Sequence, residues 1–332
     1  MILHPAVLAL LIASVLISAM VLFASFHASH ILKHWDRESG SELQLQLERN
    51  TYLISTLLAY ALLFQLLSLA LLVYVADTLH VQIAGAMCAV GTFNANSLGY
   101  PALALKIGNF LFAGLWLILN FADARGYDYP LIRAKYSLLL VLALPIYLES
   151  LLVWRFFFGL KGDVITSCCG SLFSTGQGTV SSELAGLPPL PTAGAFYLGA
   201  FLTLALWLWF LRGRGRGYAL AIVAGLTFLA GVAATISYFA PTFYELPHHH
   251  CPFCLLQAEY HHLGYLLYAT LFGGAVAGMG CGVLAPFHGI PSLSATLPWL
   301  QRRLALLCLL CYGLFTLIVT LRVLTSDFRL FS

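Results

Sequence analysis

Residues 5–27 read PAVLALLIASVLISAMVLFASFH, a run without one charged side chain. A helix needs about 20 largely apolar residues to cross the hydrocarbon core of a bilayer, and this run has enough. No Lys or Arg precedes it, and it is longer than the apolar core of a usual secretory leader. It is therefore expected to be a membrane span and not a signal peptide. Largely apolar runs recur at 51–75, 101–122, 136–160, 194–211, 218–240, 257–285 and 303–324. The fold class that follows is an all-α, polytopic integral membrane protein with about eight transmembrane helices.

Composition agrees. Of 332 residues, 61% are hydrophobic and 9% are charged, against about 25% charged in a soluble globular chain. Too little polar surface remains to cover a water-soluble particle of this size, so membrane lipid must be a partner. The formal net charge of +3 and the absence of a long basic run or a glycine-rich phosphate fingerprint exclude nucleic acid as a partner.

Lys and Arg set the orientation. Lys33, Arg37 and Arg49 follow the first span, and Arg125, Arg133 and Lys135 follow the third. Arg212, Arg214 and Arg216 follow the fifth, and Arg302 and Arg303 precede the eighth. Eleven of the sixteen basic residues thus fall on one side, which the positive-inside rule makes cytoplasmic. Both termini are then expected outside, in a multi-pass protein of the cell's inner membrane. The chain reads as a single membrane domain over 1–332. Helices 1–4 (about 1–160) have a polar interior, helices 5–8 (about 194–332) carry a CxxC site, and a Gly, Ser, Thr and Pro-rich outer loop at 161–193 is expected to be flexible.

With that orientation, segments 76–100, 161–193 and 241–256 face outside and hold Cys88, Cys168, Cys169, Cys251 and Cys254, five of the eight cysteines. In a bacterium these thiols would meet an oxidising compartment. Segment 81–100 is apolar but studded with small and polar residues, and a short half-helix or re-entrant piece is expected there.

The sharpest motif is His248-His-His-Cys-Pro-Phe-Cys254, continued by Leu-Leu-Gln-Ala-Glu-Tyr-His-His262. Pro252 suits a first helical turn, so Cys251 is expected as the N-cap of the seventh span. Its sulfur would then sit by the positive end of the helix dipole, which favours the thiolate. Cys254, one turn further in, would resolve the exchange.

Cys251-Pro-Phe-Cys254-Leu-Leu-Gln257 at the outer end of a transmembrane helix resembles the quinone-coupled disulfide-forming membrane proteins, the DsbB and vitamin K epoxide reductase group. The resemblance covers about ten residues. It implies that Cys251 and Cys254 exchange a disulfide with a quinone held near Gln257 and His261. It also implies that a second pair, for which Cys168 and Cys169 are available, meets a periplasmic thiol protein.

The same stretch supports a different chemistry. Residues three and four apart share a helix face, which would align Cys254, Gln257 and His261, with His250 extending the row. Thiolate with imidazole suits copper(I) or zinc, so His250, Cys254 and His261 form a candidate metal set. A plain structural disulfide at the CxxC is the third possibility. Among the spans, Glu149 lies about midway along the fourth, with Gln65, Lys106 and Asn109 at similar depth. An ionisable residue there costs at least ~2.5 kcal/mol to insert and so should face protein, not lipid. It could assist proton movement or form a structural bridge with Lys106 or Arg155. Cys281, Cys308 and Cys311 read as small apolar residues. A haem between His261 and His80 or His4 is conceivable on residue type alone.

The leading expectation is a membrane thiol–disulfide oxidoreductase at the outer face, quinone-coupled if the resemblance holds, with Cys251, Cys254, Cys168, Cys169 and Glu149 as its working residues. The alternatives are a soft-metal (copper or zinc) binding or transport protein, and a non-catalytic or haem- or quinone-binding subunit that works with other membrane subunits.

Overall fold

The computed structural model describes residues 2–36, 40–162, 184–212 and 217–326. Cys168, Cys169, Arg214 and Arg216, and with them most of the 161–193 loop, lie outside the described residues. The structure is 83% helical, and no strand occurs among the described residues. In order, the helices are α1 (Pro5–His34), α2 (Glu42–Leu79), α3 (Ala89–Asn94), α4 (Gly99–Asp123), α5 (Ile132–Phe158), α6 (Pro189–Leu211), α7 (Gly217–Ala234), α8 (Ala240–Tyr244), α9 (Leu263–Leu284) and α10 (Thr296–Thr325). A π turn, Thr235–Phe239, joins α7 to α8.

Among the described residues eight helices are long and apolar enough to cross a membrane, so the chain is an all-α, multi-pass membrane protein. Within each span only 17–56% of the most apolar stretch is buried by protein. The remaining faces carry side chains such as Leu16, Phe26 and Leu226, which are 60–75% exposed and have lipid as their only suitable solvent. Several helices outrun their apolar runs. α2 begins at Glu42, where Gln46 Nε2 donates to Glu42 Oε1 at 3.4 Å and Gln44 Nε2 to Glu48 Oε1 at 3.0 Å. These are i, i+4 pairs that support a helix without any apolar contribution.

The chain forms two compact units. The first comprises Met1–Val75, Asn96–Lys161 and Pro286–Leu300, and the second Ala76–Ala95, Gly162–Ala285 and Gln301–Ser332. In the first, α1 and α4 both pack on α5. Its core takes Ile17, Val21 and Ala24 from α1, Leu58 and Leu62 from α2, Trp116 from α4, and Tyr136, Leu139 and Ile146 from α5. Lys135 departs from the sequence reading, which counted it as a loop cation. It lies inside α5, and its Nζ donates to Asp123 Oδ2 at 2.6 Å with both side chains buried. Asp123 Oδ1 meanwhile accepts the Leu131 N–H at 2.8 Å. One carboxylate thus closes the α4–α5 turn and neutralises the lysine, which drops out of the orientation argument.

In the second unit α7 packs on both α6 and α9. The approach of α7 to α9 is close enough to demand glycine. A Cβ on Gly278 would lie 2.2 Å from the Ala224 Cβ, and one on Gly282 would lie 2.4 Å from the Ala221 Cβ. Small residues at four-residue spacing let the two backbones meet and gain dispersion contact, the main attraction between helices that share a lipid solvent. Cys308 Sγ fills the same seam, 2.9 Å from that Gly278 position, and Cys311 Sγ lies 3.3 Å from a Cβ on Gly273. Both thiols act there as small space-filling groups.

The seventh span does not begin where its hydropathy does. Residues 254–262 form two short 3-10 turns, Cys254–Leu256 and Ala258–Tyr260, separated by Gln257 in an extended conformation. His261 (φ 53°) and His262 (φ 54°) are both left-handed, a conformation that costs an L residue energy and that no α-helix can pass through. The chain is thereby turned, and α9 starts only at Leu263.

Candidate functional site: a buried cysteine cluster

Two connections of the second unit come together in space. One is the link from α2 to α3, which carries Cys88, and the other is the link from α8 to α9, which carries the CxxC. The Sγ atoms of Cys88, Cys251 and Cys254 all lie within 4.8 Å of one another. Cys88 Sγ is 3.7 Å from Cys251 Sγ, well beyond the ~2.05 Å of a covalent S–S bond. Relative exposures are 0% for Cys88, 0% for Cys251 and 6% for Cys254.

Hydrogen bonds from polar side chains hold the two connections. Asp77, near the end of α2, accepts the Ala89 N–H at 3.3 Å, and Thr92 Oγ1 donates to the Ala76 carbonyl at 2.6 Å. These fix α3 on the end of α2 and with it Cys88, the residue capping α3. Gln257 Nε2 reaches across from the CxxC link to donate to the Met87 carbonyl at 3.0 Å and to Asp77 Oδ1 at 3.4 Å. The CxxC backbone is held in turn by Tyr244 Oη, which donates to the Cys251 carbonyl, and by Tyr268 Oη, which donates to the Pro252 carbonyl, each at 2.6 Å. Phe253 packs on Phe93 with ring centroids 5.7 Å apart. Such bonds offset the cost of burying carbonyls in an irregular link.

Three expectations are corrected by this arrangement. Cys251 does not cap the seventh span, because the left-handed pair at 261–262 delays α9, so that helix does not start at its sulfur. The helix-start position belongs to Cys88, on a helix of six residues. The row Cys254, Gln257 and His261 does not form, since those residues lie on 3-10, extended and left-handed backbone. The set His250, Cys254 and His261 is therefore not assembled. His261 is exposed, and His250 Nδ1 is held at 2.9 Å from the Ile236 carbonyl. The histidine that does touch a sulfur is His249, whose Nε2 lies 3.3 Å from Cys254 Sγ and whose ring meets Tyr244 edge-on with centroids 4.4 Å apart. Gln257 serves as the cross-link just described. Burial lowers the His250 pKa below the usual imidazole value. The nearby His248 and His249 rings act in the same sense, and the Ile236 carbonyl opposes them.

Glu149 sits in the first unit as a separate polar centre. Its Oε1 accepts Lys106 Nζ at 2.5 Å, and its Oε2 accepts Asn109 Nδ2 at 2.6 Å and Gln65 Nε2. All four side chains are 1–2% exposed. The carboxylate therefore faces the bundle on the three partners that hydropathy depth suggested. Asn109 Nδ2 also donates to the Pro145 carbonyl at 3.1 Å, one turn before Glu149 on the same helix face.

Sequence reasoning noted Cys88 among the outer cysteines but gave it no role, passed over Asp77, and gave His249 only modest electrostatic help to Cys251 in common with His248 and His250. The available signal was topological: Cys88 and the CxxC fall on the same side of an alternating membrane chain. Compared with protein-family models, with curated proteins and with solved structures, the chain matches none.

Proposed function

We propose that this is a membrane protein that binds a soft or borderline transition-metal ion, zinc or copper(I), through Cys88, Cys251 and Cys254 at the outer face of the cell's inner membrane. One observation carries the reading: three sulfurs, drawn from connections 163 residues apart, converge in a buried space. Thiolates select such ions over harder cations. The donor spacing also fits. Two thiolates about 2.3 Å from a tetrahedral metal lie roughly 3.8 Å apart, close to the 3.7 Å between Cys88 and Cys251. Burial supplies a further argument, because exchange with a protein substrate needs an accessible sulfur and these three are nearly enclosed. The test is metal analysis of the protein purified without added chelator or thiol reductant. One zinc or copper per chain is expected. A metal-free protein with a reducible Cys251–Cys254 disulfide would remove the proposal.

That second outcome belongs to a second reading, membrane thiol–disulfide exchange, which the close approach of Cys88 to Cys251 favours. A Cys88 thiolate attacking a Cys251–Cys254 disulfide would form Cys88–Cys251 and release the Cys254 thiolate. Passing that disulfide to a protein dithiol would leave the cysteines reduced, and a quinone taking two electrons and two protons would then be needed to restore the oxidised pair. Contact with a periplasmic thiol protein would pass through Cys168 and Cys169, as the resemblance implies.

Both readings place residues 241–256 outside the cell and Arg212–Arg216 inside, with both termini outside. In intact cells, with Cys168 and Cys169 replaced by serine, an impermeant thiol reagent should therefore react with a cysteine introduced at His248 and spare one introduced at Gly215. Labelling of both would end the orientation argument.

A further inference from the structure

Cysteines exposed by 0–6% cannot take a hydrated ion directly from water. An ion must first exchange water for protein ligands, and the chain leading to Cys251 is arranged for that. His248 is exposed, His249 and His250 are half-buried, and Cys251 is buried. Over four consecutive residues the donors thus go from imidazole nitrogen to sulfur as the chain descends.

The tautomer of His250 follows from its partner. A carbonyl oxygen can only accept, so in the neutral ring the bond to Ile236 O at 2.9 Å puts the proton on Nδ1 and leaves a lone pair on Nε2; the Pro247 carbonyl is a second backbone partner of the ring. A backbone carbonyl on one ring nitrogen is the arrangement that orients metal-binding histidines. The carbonyl is supplied by the π turn Thr235–Phe239, where the backbone leaves the regular α ladder. His249, next along, puts its Nε2 at 3.3 Å from Cys254 Sγ, so the imidazole series ends in contact with the cysteine cluster.

Resting on the metal reading above, we infer that His248, His249 and His250 form a loading route that passes a zinc-class ion from water to the three cysteines by ligand exchange. The ion trades water for imidazole at His248 and His250. It then trades imidazole for sulfur, and each thiol that ligates releases its proton to water. Nitrogen donors hold such ions less firmly than thiolates do, so transfer runs inward.

The test uses the full-length, reduced, metal-free protein in detergent, with Co2+ as the probe for the zinc class and thiolate-to-cobalt charge-transfer absorption as the readout. His250→Asn keeps an amide donor where Nδ1 stood, and so can keep the Ile236 bond, but it lacks Nε2. His248→Ala lies on the surface and leaves packing untouched. The double variant should load at least about tenfold more slowly than the wild type, the low end of what neighbouring groups contribute at metal sites, and reach the same final absorption. Loading at the wild-type rate would overturn the route while leaving the cysteine site intact. Loss of the final absorption in the variant would also overturn it, because the histidines would then be resident ligands. No thiolate band in the wild type would overturn the metal reading itself, and the route with it.

Discussion

Replacing Cys88 with serine should strip the protein of bound metal while leaving Cys251 and Cys254 able to form a disulfide with each other. Cys88 belongs to the three-sulfur cluster but not to the CxxC, so it separates two chemistries that share the other cysteines. Under the metal proposal, Cys88 would be a direct ligand. Changes to groups merely supporting a ligand cost about 10- to 100-fold in affinity, and loss of the ligand itself should exceed that. For a CxxC that works as a dithiol, Cys88 is dispensable to forming the pair. Cys88→Ser should therefore show metal affinity down by more than about 100-fold, with an oxidisable Cys251–Cys254 pair by thiol titration. A variant that keeps one metal per chain at wild-type affinity would exclude Cys88 as a ligand and leave the metal proposal without its main support. Serine is nearly isosteric, and the link around Cys88 is held by Asp77, Thr92 and Gln257, so the fold should survive the change.

The second large effect is expected at Glu149. Removing its carboxylate with Glu149→Ala leaves Lys106 as a charge 1% exposed, and breaking a buried pair from one side costs about 3–5 kcal/mol. Gln65 and Asn109 lose an acceptor as well, so the cost should fall at the upper end of that range. Glu149→Gln keeps an oxygen for those amides but still strands the lysine, and it should destabilise less. In Lys106→Met combined with Glu149→Gln, the charge is gone and the polar contacts are retained, so most of the lost stability should return. Thermal unfolding of the four proteins in one detergent measures this. If the double variant is no more stable than Glu149→Gln alone, the ammonium is not what the carboxylate neutralises. If all are as stable as the wild type, the pair is not a structural element of the first unit.

The membrane spans were readable because hydropathy reports the solvent a helix needs, and lipid imposes that need on every residue of a span. α1 and α10 were found on that basis alone. Glu149 was readable for a related reason. A carboxylate in an apolar run must be paired, and few polar side chains lie at its depth, so Gln65, Lys106 and Asn109 could be named from the sequence. Hydropathy failed at the span ends. α2 extends into water on i, i+4 polar pairs, and Lys135 counts as a basic loop residue until the Asp123 carboxylate is seen to neutralise it.

The cysteine site divides in the same way. From the chain alone it followed that the CxxC and Cys88 lie on one side of an eight-span membrane protein, because alternation of apolar runs and the placement of Lys and Arg are properties of sequence. Tertiary structure decided that Cys88 joins the CxxC, that His249 and not His261 touches a sulfur, and that Gln257 is a cross-link. Those outcomes depend on the left-handed backbone at His261 and His262, which carry no glycine to announce it. They depend equally on Asp77 and Gln257, which bind together connections that no local periodicity relates.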